Sequence, residues 1–311
     1  MVNENSFNSS EEKSTSPWLR RLRLVIFTLL ALVAGYLLTN AALAWFYVSD
    51  LTHPPCQEQP QTISGLSPPE TVKLQTQTLE GEVLELRAWY YPPRNGVAIL
   101  ALGGTEGALG ENPPPVSFLV QEGFGTLQID SRMCAMPSTQ VTLGADEITD
   151  AAAGLDFLLN RPEVEHIGAI GYSMGASAVI RAAARHPEIE AVIAEGGYHN
   201  LGDDFVDLDA PLSPRKVLLY GVASAFWIQT GWNPWQVSPI DDLARISPRP
   251  LLLIYGEQEA ASGEALRQFS VANQPKQLWI VPGGSHGKNY LVAPRDYRRR
   301  VLNFFRAAFG R

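Results

Sequence analysis

Ile167-Gly168-Ala169-Ile170-Gly171-Tyr172-Ser173-Met174-Gly175-Ala176-Ser177-Ala178-Val179-Ile180 decides the reading of this 311-residue chain. The apolar run from Ile167 to Ile170 has the character of a buried strand, and the alanine-rich stretch after Gly175 that of a helix. Between them lies the pattern G-x-S-x-G. A serine at a sharp strand-to-helix turn projects its hydroxyl into open space, and glycines two residues to either side let strand and helix approach without Cβ clashes. The pattern alone is weak, because 26 glycines in 311 residues supply such a match by chance in about one chain in seven. Context must decide.

A second match, Gly283-Gly284-Ser285-His286-Gly287, shows why. Ser173 is followed by Ala176, Ala178, Val179, Ile180 and Ala182 to Ala184, which form a helix ending near His186-Pro187. Ser285 is followed by Gly287, Lys288 and Asn289, which start none. A nucleophilic serine in this setting also needs an acid and then a histidine downstream, and Ser285 has only the adjacent His286.

Of the five histidines, His186, His199 and His286 lie downstream of Ser173. His186 falls at the end of the helix after the serine, where it suits terminal carbonyls. His199 is a loop residue without an evident role. His286 follows the apolar run Leu278 to Val281 by a glycine-rich turn, the exposed perch that a general base needs. For the acid, Pro250 to Tyr255 reads as a buried parallel strand, and Gly256-Glu257-Gln258-Glu259 comes off its carboxyl end. Glu259 is the expected partner of His286. Glu195, at the end of the strand from Ala191, is the other candidate, and Glu257 and Glu259 could also be solvated loop charges.

Residues 71–311 resemble the α/β-hydrolase superfamily, particularly bacterial members with dienelactone-hydrolase-like or peptidase-like cores. Beyond the serine turn the resemblance rests on Gly103-Gly104 after the strand Val97 to Leu102, and on Asp130 and Arg132 after the strand Gly125 to Ile129. Ser238-Pro239-Ile240-Asp241 ahead of Pro248-Arg249-Pro250 adds to it. The chain departs from the usual pattern at Leu102-Gly103, where the family often has His-Gly, at Met133 for Gly, and at Glu259 for Asp. The resemblance implies an α/β fold with a mostly parallel eight-stranded sheet, flanking helices and a lid over about 197–247. It also implies a serine hydrolase, carboxylesterase-like (EC 3.1), that cleaves an ester, thioester or amide through an acyl-enzyme on Ser173. The backbone N–H groups of Met174 and of Gly104 would form the oxyanion hole, such donors being worth about 3 kcal/mol each. An acyltransferase would share all these residues, and a non-catalytic binding module would share the fold.

At the other end, Leu24 to Val48 is apolar except for a few residues such as Thr28, Thr39 and Asn40. As a helix it would extend about 37 Å, enough to cross a hydrocarbon core of about 30 Å with tilt. Arg20, Arg21 and Arg23 precede it, and no Lys or Arg follows until Lys73. The positive-inside rule then leaves residues 1–23 as a cytoplasmic, disordered tail rich in Ser, Asn and Glu, with the catalytic domain outside a single-pass span of the cell membrane. The small-x-small sequence Ala42-Leu43-Ala44 raises a cleavable signal peptide as the alternative, but the apolar stretch runs on through Trp45 to Val48. Residues 49–70, with five prolines, are expected to run extended to the enzyme domain at 71–311.

The expected lid concentrates Tyr220, Phe226, Trp227, Trp232 and Trp235. They could line an apolar acyl pocket, pack the lid onto the core, or dip into the bilayer. Asn95-Gly96 reads as a hairpin turn joining the second and third strands. Cys56 and Cys134 could oxidise outside the cytoplasm, but their positions do not decide whether they pair. Histidines and acids lack metal-ligand spacings and no phosphate loop is present, so neither metal nor cofactor is expected. The part beyond the span carries a net charge of about −9, which excludes nucleic acid as a partner. The expected partners are the membrane and a small-molecule or lipid-like acyl substrate; the oligomeric state is open.

Overall fold

The computed structural model describes residues 17–54, 56, 63, 66–78, 81–105, 117–135 and 139–311. One eight-stranded sheet organises them. Its strands are β1 (Glu70–Gln77), β2 (Val83–Tyr91), β3 (Val97–Leu102), β4 (Gly125–Ile129), β5 (His166–Tyr172), β6 (Ala191–Glu195), β7 (Leu251–Gly256) and β8 (Lys276–Val281). The spatial order is β1-β2-β4-β3-β5-β6-β7-β8. β1 and β2 are antiparallel to their neighbours, and all pairs from β4 through β8 are parallel. Every residue of β3, β4, β6 and β7 is buried, as continuous apolar runs covered on both faces must be.

Asn95-Gly96 does not close a hairpin. β2 pairs with β4, and β3 lies between β4 and β5. The Arg94 and Asn95 N–H groups donate instead to the Gly123 carbonyl, and the Gly96 carbonyl accepts from Glu165 and His166 N–H. The reason is burial: β3 has no solvated face and belongs at the sheet's centre, so the chain passes beyond the place that β4 later fills.

The helices are α1 (Pro17–Thr52), α2 (Ser117–Gln121), α3 (Arg132–Ala135), α4 (Glu147–Leu159), α5 (Met174–Ala183), α6 (Leu201–Phe205), α7 (Pro214–Thr230), α8 (Ile240–Leu243), α9 (Glu257–Ala260), α10 (Glu264–Val271), α11 (Asn289–Val292) and α12 (Pro294–Phe309). Leu155, Leu158, Val179 and Ile180 of α4 and α5 pack on one face of the sheet. Phe118 of α2 and Tyr297, Val301 and Phe305 of α12 pack on the other. α12 starts on Pro294 and ends on Gly310 at φ 65°, stop signals that a helix reads locally.

α1 is longer than the apolar run alone, with 36 residues and a mean hydropathy of 2.1 in its most apolar window, none of which is buried. By length and composition it can cross a membrane. Its final turns are different: Ala44 and Val48 are buried in one cluster with Phe205, Val222 and Phe226 of the segment 197–247, and the carbonyl of buried Thr52 accepts from the Val141 N–H. That segment holds α6, α7, α8 and a single 3-10 turn at Pro234–Gln236. α7 is delimited by Ser213, whose hydroxyl accepts from the Lys216 N–H, by Pro214 at its first position, and by Gly231 at φ 77°.

The segment 49–70 is tied to the domain rather than merely extended. Residues 49–52 continue α1, Cys56 forms a disulfide with Cys134 just after β4 (Cα–Cα 5.5 Å), and Ile63 packs with Tyr91 and Val120. Of the expected tail, residues 1–16 lie outside the described residues, and residues 17–23 are not disordered but form the first turns of α1.

Candidate active site

β5 and α5 meet at Ser173, which is held at φ 53° and ψ −119°, a conformation that non-glycine residues seldom adopt. The surroundings fix it. The Ser173 N–H donates to the Glu195 carbonyl of β6 at 2.8 Å. A Cβ at Gly171 would run into the Gly175 carbonyl, and one at Gly175 into the carbonyls of Leu102 and Gly103. Both glycines are therefore required by close backbone approach.

His286, in the turn after β8, brings Nε2 to 3.1 Å from Ser173 Oγ and Nδ1 to 2.7 Å from Glu259 Oε1. Glu259 lies in α9, directly off the carboxyl end of β7. Its other oxygen, Oε2, accepts the Gly256 N–H at 2.8 Å, so the carboxylate is aimed by the helix start that it caps. The hydrogen bond that His286 donates to the Glu259 carboxylate raises the His286 pKa above its ordinary value, against partial burial, which lowers it. The three side chains predicted from separate strand ends thus form one continuous chain of contacts at the carboxyl edge of the sheet, where open α/β sheets bind ligands.

Met174 is the first residue of α5 and borders the same cavity as Ser173. Gly104 lies against the elbow: a Cβ there would meet the Ser173 Cβ at 3.2 Å and the Tyr172 ring at 3.3 Å. Gly107, in the same glycine-rich stretch, lies outside the described residues.

Glu195, the other candidate acid, does not contact the histidine ring. It is buried under the site, accepting from Asn289 Nδ2 at 2.9 Å and from Tyr297 Oη at 2.5 Å. Burial raises its pKa to about 7, while those two donors pull it down. His199 is turned away into a separate cluster, with Nδ1 at 2.7 Å from Glu264 and Nε2 at 3.2 Å from Asp203. His186 sits past the end of α5, where its carbonyl accepts from Arg249. Ser285 stays in the β8 turn, and its carbonyl accepts from the Lys288 N–H.

Other residues around the site have contacts that the sequence does not reveal. The Tyr172 ring lies 5.2 Å from the imidazole, centroid to centroid. Arg132, fully buried, holds Asp146 and Asp150 at 3.0 and 2.7 Å under the loop that borders the elbow, and Trp232 of the 197–247 segment donates to Asp146 at 3.0 Å. The cavity over Ser173, about 600 Å³, is also walled by Leu43, Ala44, Tyr47 and Leu51 of α1. Apolar length alone marks those four residues, and length says nothing about where a helix docks.

No family model matches the chain. Among curated proteins it is 23% identical over 305 residues to the uncharacterized protein YfhR of Escherichia coli O157:H7, covering 94% of this chain and 97% of that one. It is 26% identical over 285 residues to the uncharacterized protein PA2218 of Pseudomonas aeruginosa, covering 71% and 77%. Among solved structures it resembles the esterase Pf2001 of Pyrococcus furiosus, with a TM-score of 0.59, 24% identity, and coverage of 82% of this chain and 98% of that one. The α/β hydrolase GrgF of Penicillium sp. sh18 gives a TM-score of 0.59 at 16% identity, covering 78% and 100%. The acylaminoacyl peptidase of Pyrococcus horikoshii gives 0.56 at 19%, covering 77% of this chain and 42% of that one. With the strand order, the strained serine between β5 and α5 and these likenesses taken together, the chain has the α/β-hydrolase fold.

Proposed function

We propose that the chain is a membrane-anchored serine hydrolase that cleaves a carboxylic ester, thioester or amide. The observation that carries this reading is the continuous Glu259–His286–Ser173 contact chain, ending on a serine in a strained elbow. Ser173 Oγ attacks the substrate carbonyl carbon while His286 Nε2 takes its proton, and Glu259 keeps the ring in the tautomer with Nδ1 protonated. The tetrahedral oxyanion is held by the backbone N–H groups of Met174 and Gly104. The leaving group takes the proton from His286, and the acyl group remains on Ser173. Water, deprotonated by the same imidazole, then attacks the acyl-enzyme, releases the acid and restores the hydroxyl.

Anchoring by α1 is supported by its integration into the domain. Removing the segment through Ala44 as a signal peptide would take Leu43 and Ala44 from the cavity, along with the bond from Tyr36 Oη to the Pro214 carbonyl. An extracytoplasmic domain is supported by Arg20, Arg21 and Arg23 ahead of the span and by the Cys56–Cys134 disulfide beyond it. The test is labelling of the full chain in detergent by a fluorophosphonate probe. Native protein is expected to react, Ser173→Ala to lose labelling and Ser285→Ala to keep it. Well-folded native protein that does not label, and that turns over no ester, would refute the assignment.

A further inference from the structure

The far wall of the cavity over Ser173 comes from the helix that reads as the membrane span. Leu43, Ala44, Tyr47 and Leu51 line it, and their spacing of one, four and eight residues from Leu43 places them along one face of α1. They cover a rise of about 12 Å. Leu218, Leu219 and Val222 of α7, the helix packed beside α1, line it as well. Ser173 and His286 border the same cavity, whose lining is mostly apolar, with Asp204 among its polar residues.

α1 and α7 run side by side in the same direction. Tyr36 Oη donates to the Pro214 carbonyl at 3.0 Å, the Ala44 methyl would meet a side chain at Gly221 at 3.3 Å, and Gln229 Nε2 donates to the Trp45 carbonyl at 3.0 Å. Asn40 and Ala44, which meet α7 at Gly221, lie toward the domain-side end of the apolar run, so the middle of α7 packs on α1 where the span meets the interface. The surfaces to either side of the pair agree. Phe46 and Leu43 of α1 and Trp227 and Ile228 of α7 are between 53% and 72% exposed, which water would penalise and lipid would not. A slot whose walls are continuous with such a surface is accessible to an acyl chain that never leaves the membrane.

We propose that the slot binds the long acyl chain of a membrane lipid ester, taken sideways from the leaflet on the domain's side, with the last three turns of α1 as its chain-binding wall. The assignment rests on the serine-hydrolase reading above and names its substrate class. α1 is then a specificity element as well as an anchor, because the side chains that measure chain length sit on it.

The experiment uses the full chain in phosphatidylcholine nanodiscs and compares kcat/KM for p-nitrophenyl dodecanoate and butyrate, alongside fatty-acid release from the disc lipid itself. Native protein is expected to favour the longer ester and to release fatty acid from lipid in its own disc. Leu43→Trp and Leu51→Trp, which fill the slot from α1, are expected to lower the long-to-short ratio by about tenfold or more, the value of a misfit of roughly one methylene. Tyr47→Ala, which only removes atoms and so is the safer fold, loosens the wall and changes the dodecanoate-to-butyrate ratio by several-fold. A ratio unmoved in all three variants, with Ser173 still labelled by a small fluorophosphonate, overturns the α1 wall and leaves the hydrolase reading standing. Long p-nitrophenyl esters cleaved without release from disc lipid would put the source in the aqueous phase and overturn the membrane route. Absence of labelling and of all ester turnover marks failure of the hydrolase reading itself, and this proposal with it.

Discussion

The two sides of the cavity are built on opposite terms. On the sheet side, Ser173, His286 and Glu259 are polar groups at strand ends, each pinned by a hydrogen bond of 3.1 Å or less and backed by close backbone approach. On the other side, α1 and α7 offer apolar side chains joined by packing, with two hydrogen bonds to carbonyls between them. Chemistry demands fixed directions, which short-range geometry supplies. Chain recognition demands shape and dryness, which any well-packed apolar wall supplies. The sheet side should therefore tolerate almost no change in its reacting atoms, and the helix side should respond by degree.

The largest effect that would break this contrast is at the nucleophile. Ser173→Ala should lower kcat for a short ester by roughly 10⁵- to 10⁶-fold with little change in thermal midpoint, as seen by parallel kinetics and calorimetry. A comparable loss from a change on α7 would erase the distinction. Glu259→Gln should follow, costing about 10⁴-fold by loss of the tautomer and of the imidazolium's partner. It should also move the acid limb of kcat/KM. The native limb, where His286 must be neutral to act, has its midpoint above the ordinary histidine value because Glu259 raises it, and the variant's midpoint should fall.

Stability effects sharpen the other half. The Cys56–Cys134 disulfide spans 78 residues and fastens the end of α1 to the domain, so Cys56→Ser with Cys134→Ser should cost about 4 kcal/mol in the chain-entropy account. Denaturant titration of the two proteins, each without reductant, measures this directly. Buried Glu195 gives a smaller term that depends on pH. Folded, it keeps its proton to about pH 7, whereas unfolded it loses it near 4.5. Between these values the unfolded chain binds fewer protons, so stability drops as pH rises through that window, by up to about 3 kcal/mol. Glu195→Gln should flatten that slope, and a variant with the native slope would show that the carboxyl is ionised when folded. Trp232→Phe, which removes the bond to Asp146 and part of the indole's packing, should cost about 1–2 kcal/mol and leave the short-ester kcat within twofold.

The contrast also explains what could be read in advance. β5, β7 and β8 announce themselves as continuous apolar runs, and the residues straight after such runs must emerge at one edge of a parallel sheet. Ser173 and His286, and Glu259 as one of two acids at strand ends, could therefore be picked out from position and residue type. The choice between Glu259 and Glu195 could not be made that way. Both follow strands, and only the buried donors Asn289 and Tyr297, 94 and 102 residues away, take Glu195 out of reach of the imidazole. Asn95-Gly96 misled for a related reason, since turn chemistry is local while strand order is decided by which strand must be buried on both faces.

By itself, the sequence determined the elements, the elbow with its glycines, the three side chains at the sheet's edge and an apolar helix long enough for a membrane. These are consequences of period, residue size and backbone freedom within about ten residues. Only the tertiary structure decided that Cys56 meets Cys134, that Glu195 is sequestered, and that α1 leans on α7 to wall the cavity over Ser173. Apolar surfaces carry no direction of their own: an exposed stripe fixes how much area must be covered, and the rest of the fold fixes what covers it.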